Sequence, residues 1–334
     1  MKAKTIILFN HKGGVSKTLT TYNLAWMLSS DKGKKVLLVD CDPQCNLSGL
    51  LLRDDFDNYY TDSTTKEFNI KDAVKAAFDG KPQPIKAIDC FSPEINENLF
   101  LIPGHMDLSE YDPPLSLAMN SNNSFTTLQN LPGAFSELIK LCCDKYDIDY
   151  VFIDVNPGLS AINEIAFVIS NAFIVPTNPD PFSLMALKTL SKVLPRWKKW
   201  AIQSRELFAD ASYPLPYAEM RFIGEICQRF NRRKGKPSAS FERTITEISE
   251  YIEGDFLIKL KANDMVYDRV NYHLAEIPDF GALLQKANEK GVPVFKLDDQ
   301  FLTGGAALEN EIKKRNEIQE IFSDLADIVL ELVK

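Results

Sequence analysis

Apolar positions along the chain follow two rhythms that take turns. Residues 5–9, 35–39, 99–103, 150–154, 172–176 and 220–227 are short, nearly unbroken apolar runs and read as strands. Runs of that kind suit strands buried on both faces of a parallel sheet. Between them the apolar period lengthens to that of a helix. One helix is expected from Thr18 to about Ser30, through Leu24, Ala25 and Leu28, with Lys32-Gly33-Lys34 ending it. Others are expected over residues 70–78, with Ile70, Val74 and Phe78 on one face, over 133–143, and over 182–194, where Pro195 closes the helix. After Cys227 the chain reads mostly as helix, ending in residues 308–334.

Strand–helix alternation of this kind predicts an α/β fold: a doubly wound, mostly parallel sheet flanked by helices, with ligands at the carboxyl ends of its strands. The pattern weakens over residues 53–97, where Asp54-Asp55-Phe56-Asp57 and Thr61-Asp62-Ser63-Thr64-Thr65 look like an exposed acidic loop. A single domain over residues 1–334 with an insertion at about 53–97 is therefore expected. Asn120-Ser121-Asn122-Asn123-Ser124 reads as a polar connecting segment.

Composition narrows the class. The chain has 334 residues, 45% hydrophobic and 25% charged, as ordinary globular proteins do. No apolar stretch approaches the roughly 20 residues that span a bilayer. Met1-Lys2-Ala3-Lys4 runs straight into the first strand, so a cytoplasmic location is expected. The net charge of −8 argues against a coat of positive charge for nucleic acid, though not against a local basic patch. Six cysteines show no CxxC pairing and three histidines are scattered, so reduced thiols are expected in place of a zinc or iron–sulfur site.

The chemistry is concentrated after the first strand. Lys12-Gly13-Gly14-Val15-Ser16-Lys17-Thr18 gives strand, glycine loop, then helix start. Glycines let backbone N–H groups turn inward around a phosphate, Lys17 adds a point charge, Thr18 offers a hydroxyl to Mg²⁺, and the helix adds its positive end. The second strand runs into Asp40-Cys41-Asp42-Pro43-Gln44-Cys45-Asn46. Asp40 can orient Mg²⁺ through water, and Asp42 can position or activate the water that attacks a γ-phosphate; a plain acidic turn is the structural alternative. Val151-Phe152-Ile153-Asp154 ends an apolar strand in a carboxylate that can hold the Mg²⁺ water shell, or merely cap the next helix.

A single lysine serves an ordinary P-loop, and Lys17 fills that slot. The additional Lys12, in the pattern Lys-Gly-Gly-x-x-Lys-Thr, resembles the deviant Walker A ATPases of the ParA/MinD group, and the Asp-x-Asp-Pro-Gln-x-Asn stretch from Asp40 is similar to that group's as well. The resemblance lies nearest the ParA-like, chromosome- or plasmid-partitioning members and covers most of the chain apart from residues 53–97 and 198–217. It implies a P-loop NTPase fold, ATP and Mg²⁺ as cofactors, slow partner-stimulated hydrolysis, and an ATP-dependent homodimer in which Lys12 reaches the partner's phosphates. Lys12, Lys17 and Asp42 would then be catalytic, and Lys12, Gly13, Gly14, Val15, Ser16, Lys17 and Thr18 would hold the phosphates. Thr18, Asp40 and Asp154 would hold the metal. Residues 174–180 and 222–231 fall where the group places the base, with Pro176, Thr177 and Gln228 as its contacts. Two departures stand out: Ser16 where many relatives have glycine, and Asn156 where a proline is usual after the Walker B carboxylate.

The same resemblance implies non-specific DNA and a ParB-like stimulating protein as partners, with a nucleoid-associated place in the cytoplasm. Basic residues that could meet DNA are Arg229, Arg232, Arg233, Lys234 and Lys236, Arg196, Lys198 and Lys199, and Lys313, Lys314 and Arg315; a solvated loop accounts for the first group equally well. MinD-like members bind membrane through a C-terminal amphipathic helix. Residues 317–334 carry an acidic polar face that an anionic bilayer repels, so a packed helix and no membrane partner are expected. The alternative function is an ATP-gated switch or scaffold that acts on a protein partner without DNA.

Overall fold

The computed structural model describes residues 2–120, 128–230, 232–233, 236–237, 239–305 and 308–334, with side chains described outside residues 229–241. Among the described residues nine strands occur in chain order: β1 (Lys4–Leu8), β2 (Val36–Asp40), β3 (Leu99–Ile102), β4 (Tyr150–Asp154), β5 (Ala172–Thr177), β6 (Arg221–Phe230), the short ribbon β7 (Arg232–Arg233) and β8 (Lys236–Pro237), and β9 (His273–Pro278). The helices are α1 (Lys17–Trp26), α2 (Asn46–Leu52), α3 (Phe56–Thr61), α4 (Ile70–Phe78), α5 (Asp112–Asn120), α6 (Leu131–Tyr146), α7 (Ala161–Val168), α8 (Pro181–Leu207), α9 (Ala239–Tyr251), α10 (Leu257–Lys261), α11 (Ala282–Lys290) and α12 (Leu308–Leu332).

Seven strands form one parallel sheet in the order β3-β2-β4-β1-β5-β6-β9. Side chains alternate across it. Ile7 and Phe9 enter a core shared with α4, α6, α7 and α8, whereas Ile6 and Leu8 enter a core shared with α1, α11 and α12. Both faces are covered, which is why the central strands are apolar along most of their length. Phe9 packs on Trp197 and Phe167 at ring-centroid distances of 5.4 and 5.7 Å. Because every strand runs the same way, the loops after β1, β2 and β4 open at one edge.

Two elements depart from the sequence expectation. Pro195 does not close α8, which continues to Leu207. A proline inside a helix costs about 3 kcal/mol. Here Leu190, Leu194, Trp197 and Ala201 are all buried at helical spacing, and that packing holds the two halves in line. The region after β6 is also not all helix: His273–Pro278 adds a seventh strand beside β6. Only Ile277 and Pro278 of its six residues are buried, so no unbroken apolar run marks it.

The acidic stretch of the expected insertion is exposed at Asp54, Asp55 and Asp57 but is partly helical, since Phe56 and Tyr60 pack together along α3 at 5.0 Å. Ile85 and Ile88 enter the main core, and Phe91 pairs with Leu101. In α12, Ile318, Phe322, Leu325 and Val329 are buried in the second core, so its apolar stripe is already covered. Among the described residues no helix is long and apolar enough to cross a membrane. Of the polar segment from Asn120, residues 121–124 lie outside the described residues.

Candidate functional site

The loop between β1 and α1 turns through two left-handed residues, Gly14 at φ 72° and Ser16 at φ 55°. Gly14 faces open space, and a Cβ on Gly13 would sit 3.7 Å from Pro157. The loop is pinned from outside. Asn10 Nδ2 donates to the Pro176 carbonyl at 2.8 Å, the Lys12 amide donates to Asn10 Oδ1 at 3.0 Å, and Asn178 Nδ2 donates to the Gly14 carbonyl at 3.1 Å. Fixing the loop from behind leaves its inner face free. That face borders a cavity of about 540 Å³ lined by Gly13, Gly14, Val15, Ser16, Lys17 and Thr18, with Asp42 and Pro157 opposite.

Carboxylates meet the loop because of strand register. β2 and β4 pair with Asp40 opposite Asp154, and both are fully buried. Asp154 Oδ2 accepts the Thr18 hydroxyl at 2.7 Å, while its Oδ1 is buried with no hydrogen-bond partner among the described residues. Burial pushes the Asp154 carboxyl well up, the neighbouring Asp40 adds to the rise, and Thr18 and Lys17 oppose it. Asp40 is likewise raised by burial, against hydrogen bonds from the Ser48 hydroxyl and amide at 2.7 and 2.8 Å and the Asp42 amide at 3.1 Å.

Lys17 is 6% exposed, and its Nζ lies 3.4 Å from the Lys12 carbonyl, so the side chain folds back over the loop. Burial lowers its pKa, with Asp154 and Asp42 pulling it back up. Asp42 lines the cavity and accepts the Gln44 amide at 2.9 Å. Burial raises it, and the Gln44 amide and Lys17 oppose that rise. A carboxylate raised in this way is a better proton acceptor than an exposed one.

Mg²⁺ fits this donor set. A buried carboxylate oxygen without a partner is costly, and a cation is what it lacks. Among the described residues no cluster of three or more His, Cys, Asp or Glu could hold a metal by itself. A hard cation held by one or two carboxylates plus phosphate oxygens is how Mg²⁺ is usually bound.

The other expected residues are placed differently. Lys12 Nζ donates to Asp180 Oδ2 at 2.5 Å and lies 3.4 Å from Ser183 Oγ, at the amino end of α8. Pro176 and Thr177 are buried under the P-loop, where the Thr177 hydroxyl donates to the buried Glu225. Gln228 donates to Thr20 Oγ1 at 2.7 Å and borders a small cavity of about 30 Å³ with Ser16 and Phe280. The helices that carry the other basic candidates, α8 and α12, pack against opposite faces of the sheet. Lys198 and Arg315 are also engaged internally, with the Asp264 carbonyl and Asp299 at 2.6 Å each. The side chains of the run from Arg229 to Lys236 lie outside the described residues.

Sequence reasoning missed Ser48 and Gly104, which surround Asp40, and Leu284 and Asn288 of α11, which complete the cavity wall. A glycine just after β3 was a usable signal for the first pair. Nothing in the sequence ties α11 to a loop more than 260 positions before it.

A family profile described as "AAA domain" matches residues 3–205. The chain is 30% identical over 190 residues to the virulence plasmid ParA family protein pGP5-D of Chlamydia trachomatis, covering 57% of this chain and 62% of that one, less than two thirds of its length. In structure it is similar to the ATP complex of a Cyanothece McdA variant, with a TM-score of 0.61 at 18% identity over 100% of this chain and 98% of that one. It is also similar to pNOB8 ParA bound to nonspecific DNA, with a TM-score of 0.57 at 19% identity over 98% of each chain. At those identities the structures speak for the fold alone. With the profile spanning more than half of the chain, a plasmid ParA among its relatives and the P-loop geometry above, the protein belongs to the AAA domain family and, within it, to the ParA/MinD-like P-loop ATPases.

Proposed function

We propose that this chain binds ATP with Mg²⁺ in the cavity over the P-loop and hydrolyses it slowly until a partner protein stimulates it. A nucleotide-dependent homodimer would then partition DNA or position a cargo. The observation that carries the reading is the unpartnered Oδ1 of Asp154, a buried carboxylate whose Oδ2 accepts the Thr18 hydroxyl and which stands opposite Asp40 across β2 and β4.

The amides of residues 13–18 would wrap the phosphates, with Lys17 as the point charge among them. Mg²⁺, held by Thr18 and Asp154 with Asp40 behind, would screen the phosphate charge. Asp42 would orient the attacking water and take its proton. Gln228, with Pro176 and Thr177 beneath, would border the base. Lys12 must leave Asp180 to act on a partner's phosphates. Exposed Phe182 and Met185, two and five residues past Asp180, offer apolar surface for a second copy. Removing the γ-phosphate would remove the charge that holds the halves together.

Non-specific DNA is the proposed surface because pNOB8 ParA, of the same fold, is bound to nonspecific DNA. One observation favours the other reading, a switch acting on a protein partner without DNA: the net charge is −8 and the described basic candidates are split between two faces. Retention on non-specific duplex DNA, compared in ATP·Mg²⁺ and in ADP at two salt concentrations, decides between them. Asp42→Ala should hold the ATP state and prolong retention, and Lys17→Ala should abolish it. Retention only with ATP that weakens steeply with salt supports partitioning. ATP-dependent dimers in light scattering without retention would move the function to a protein partner.

A further inference from the structure

Among the described residues Asp40 makes no hydrogen bond to the P-loop, yet it is the more heavily braced of the two buried carboxylates. Its Oδ2 accepts both the amide and the hydroxyl of Ser48, at 2.8 and 2.7 Å. The Ser48 hydroxyl oxygen in turn accepts the Gly104 amide at 2.9 Å. On the other side of that residue, the Gly104 carbonyl accepts the Tyr60 hydroxyl at 2.8 Å. Tyr60 belongs to α3, inside the acidic stretch of residues 53–97, and its ring packs on Phe56 at 5.0 Å and His105 at 6.3 Å. Gly104 leaves no slack, since a Cβ there would lie 3.1 Å from both Asp40 Cγ and Cys45 Sγ.

We propose that Tyr60 is a positioning residue for Asp40, acting through Gly104 and Ser48, so that α3 is wired to the metal side of the nucleotide site. This rests on the ATPase reading above. The chain of bonds is continuous and mostly buried: Asp40, Ser48 and Gly104 are inaccessible and Tyr60 is half-buried. Ser48 donates to the carboxylate and so must accept from elsewhere, and the Gly104 amide is the donor that fixes its hydroxyl rotor. Tyr60 holds the carbonyl on the far side of the same Cα, so that Gly104 is fixed from both ends and its amide keeps its direction. Burial raises the Tyr60 pKa, so the phenol keeps the proton it donates. A bound macromolecule that shifted α3 would therefore reach Asp40 without entering the cavity, and exposed Asp54, Asp55 and Asp57 border the handle it would grip.

Tyr60→Phe deletes the hydroxyl and keeps the ring. In wild type and variant, Mg²⁺ would be titrated at saturating ATP and hydrolysis followed, and amide hydrogen exchange of the nucleotide-free proteins would be read over residues 40–48 and 103–105. The expected result is faster exchange in both segments, together with a rise of about three- to tenfold in the Mg²⁺ needed for half-maximal rate and little change in KM for ATP. Ser48→Ala should show the same split more strongly, Ser48→Thr should restore it, and the Tyr60→Phe/Ser48→Ala double variant should be no worse than Ser48→Ala alone. Unchanged exchange overturns the wiring whatever the rates do. Faster exchange with an unchanged Mg²⁺ requirement reduces Tyr60 to a packing role and overturns positioning while the ATPase reading stands. A wild-type protein that hydrolyses no ATP at any Mg²⁺ concentration fails the ATPase reading itself and takes this proposal with it.

Discussion

Asp154 is a charge kept at a disadvantage until a ligand arrives. Its folded-state pKa is raised by burial and by Asp40, so the folded chain without ligand binds a proton more tightly there than the unfolded chain does. Stability from that proton is present below the ordinary carboxylate value and is lost as pH rises through the raised one. Asp154→Asn removes the charge. The nucleotide-free variant should match wild type near pH 4 and exceed it by roughly 1–2 kcal/mol at pH 8, in urea unfolding at each pH. If the variant shows no gain at pH 8, the buried carboxylate is not destabilising. A smaller effect is expected at Ser16, which holds φ 55° with its hydroxyl buried and without a hydrogen-bond partner among the described residues. Left-handed backbone costs a non-glycine residue about 1 kcal/mol. Ser16→Gly should therefore stabilise the fold by about 0.5–1 kcal/mol in thermal unfolding, with ATP affinity preserved in calorimetry.

Among elements, the join of β6 to β9 rests on a buried ionic contact. Glu225 is 1% exposed, accepts from Thr177, and meets His273 Nδ1 at 2.8 Å. The Glu225 hydrogen bond raises the His273 pKa against the effect of burial, with Glu276 and Glu253 adding to the rise. A raised histidine stabilises the fold fully below its unfolded value of about 6.5, and that contribution fades as pH climbs through the folded value. His273→Gln should cost about 1–3 kcal/mol at pH 6 and clearly less at pH 9, read from urea midpoints. Equal losses at both pH values would show that the contact is steric. Two of the six residues of this edge strand are buried, and that is why no unbroken apolar run marks its sequence. α8 shows the converse. Pro195 punctuates the sequence correctly as a local rule, but Trp197 and Ala201 lie on the same buried stripe as Leu190 and Leu194, and the tertiary contacts prevail.

For the whole molecule, legibility follows sequence distance. The P-loop, the two aspartates after β2 and the carboxylate ending β4 each announce themselves within a few residues, because a phosphate or metal site needs specific types at fixed spacing on a strand end. The parallel sheet was legible for the related reason that doubly covered strands have no polar face. What stayed hidden is assembled from remote parts. Ser48 and Gly104 matter only through Asp40, Leu284 and Asn288 approach the cavity from α11, and the Thr177 hydroxyl is tied to Glu225 of the neighbouring strand. Lys12 was recognisable by spacing, while its pairing with Asp180 depends on where α8 begins.

The register of β1 also governs how the protein is made. Its neighbours are β4, which pairs Lys4 with Tyr150, and β5, which pairs Ile6 with Ala172. Neither exists when the P-loop leaves the ribosome. At roughly 5–20 residues per second, the first strand and the loop behind it wait some ten to thirty seconds before the sheet can close around them. Loop-closure entropy has to be met before those distant pairings return any energy. A nascent chain halted before Tyr150 therefore emerges with every phosphate-binding residue synthesised and neither neighbour of β1 made, its apolar central strand open to chaperones or to other chains.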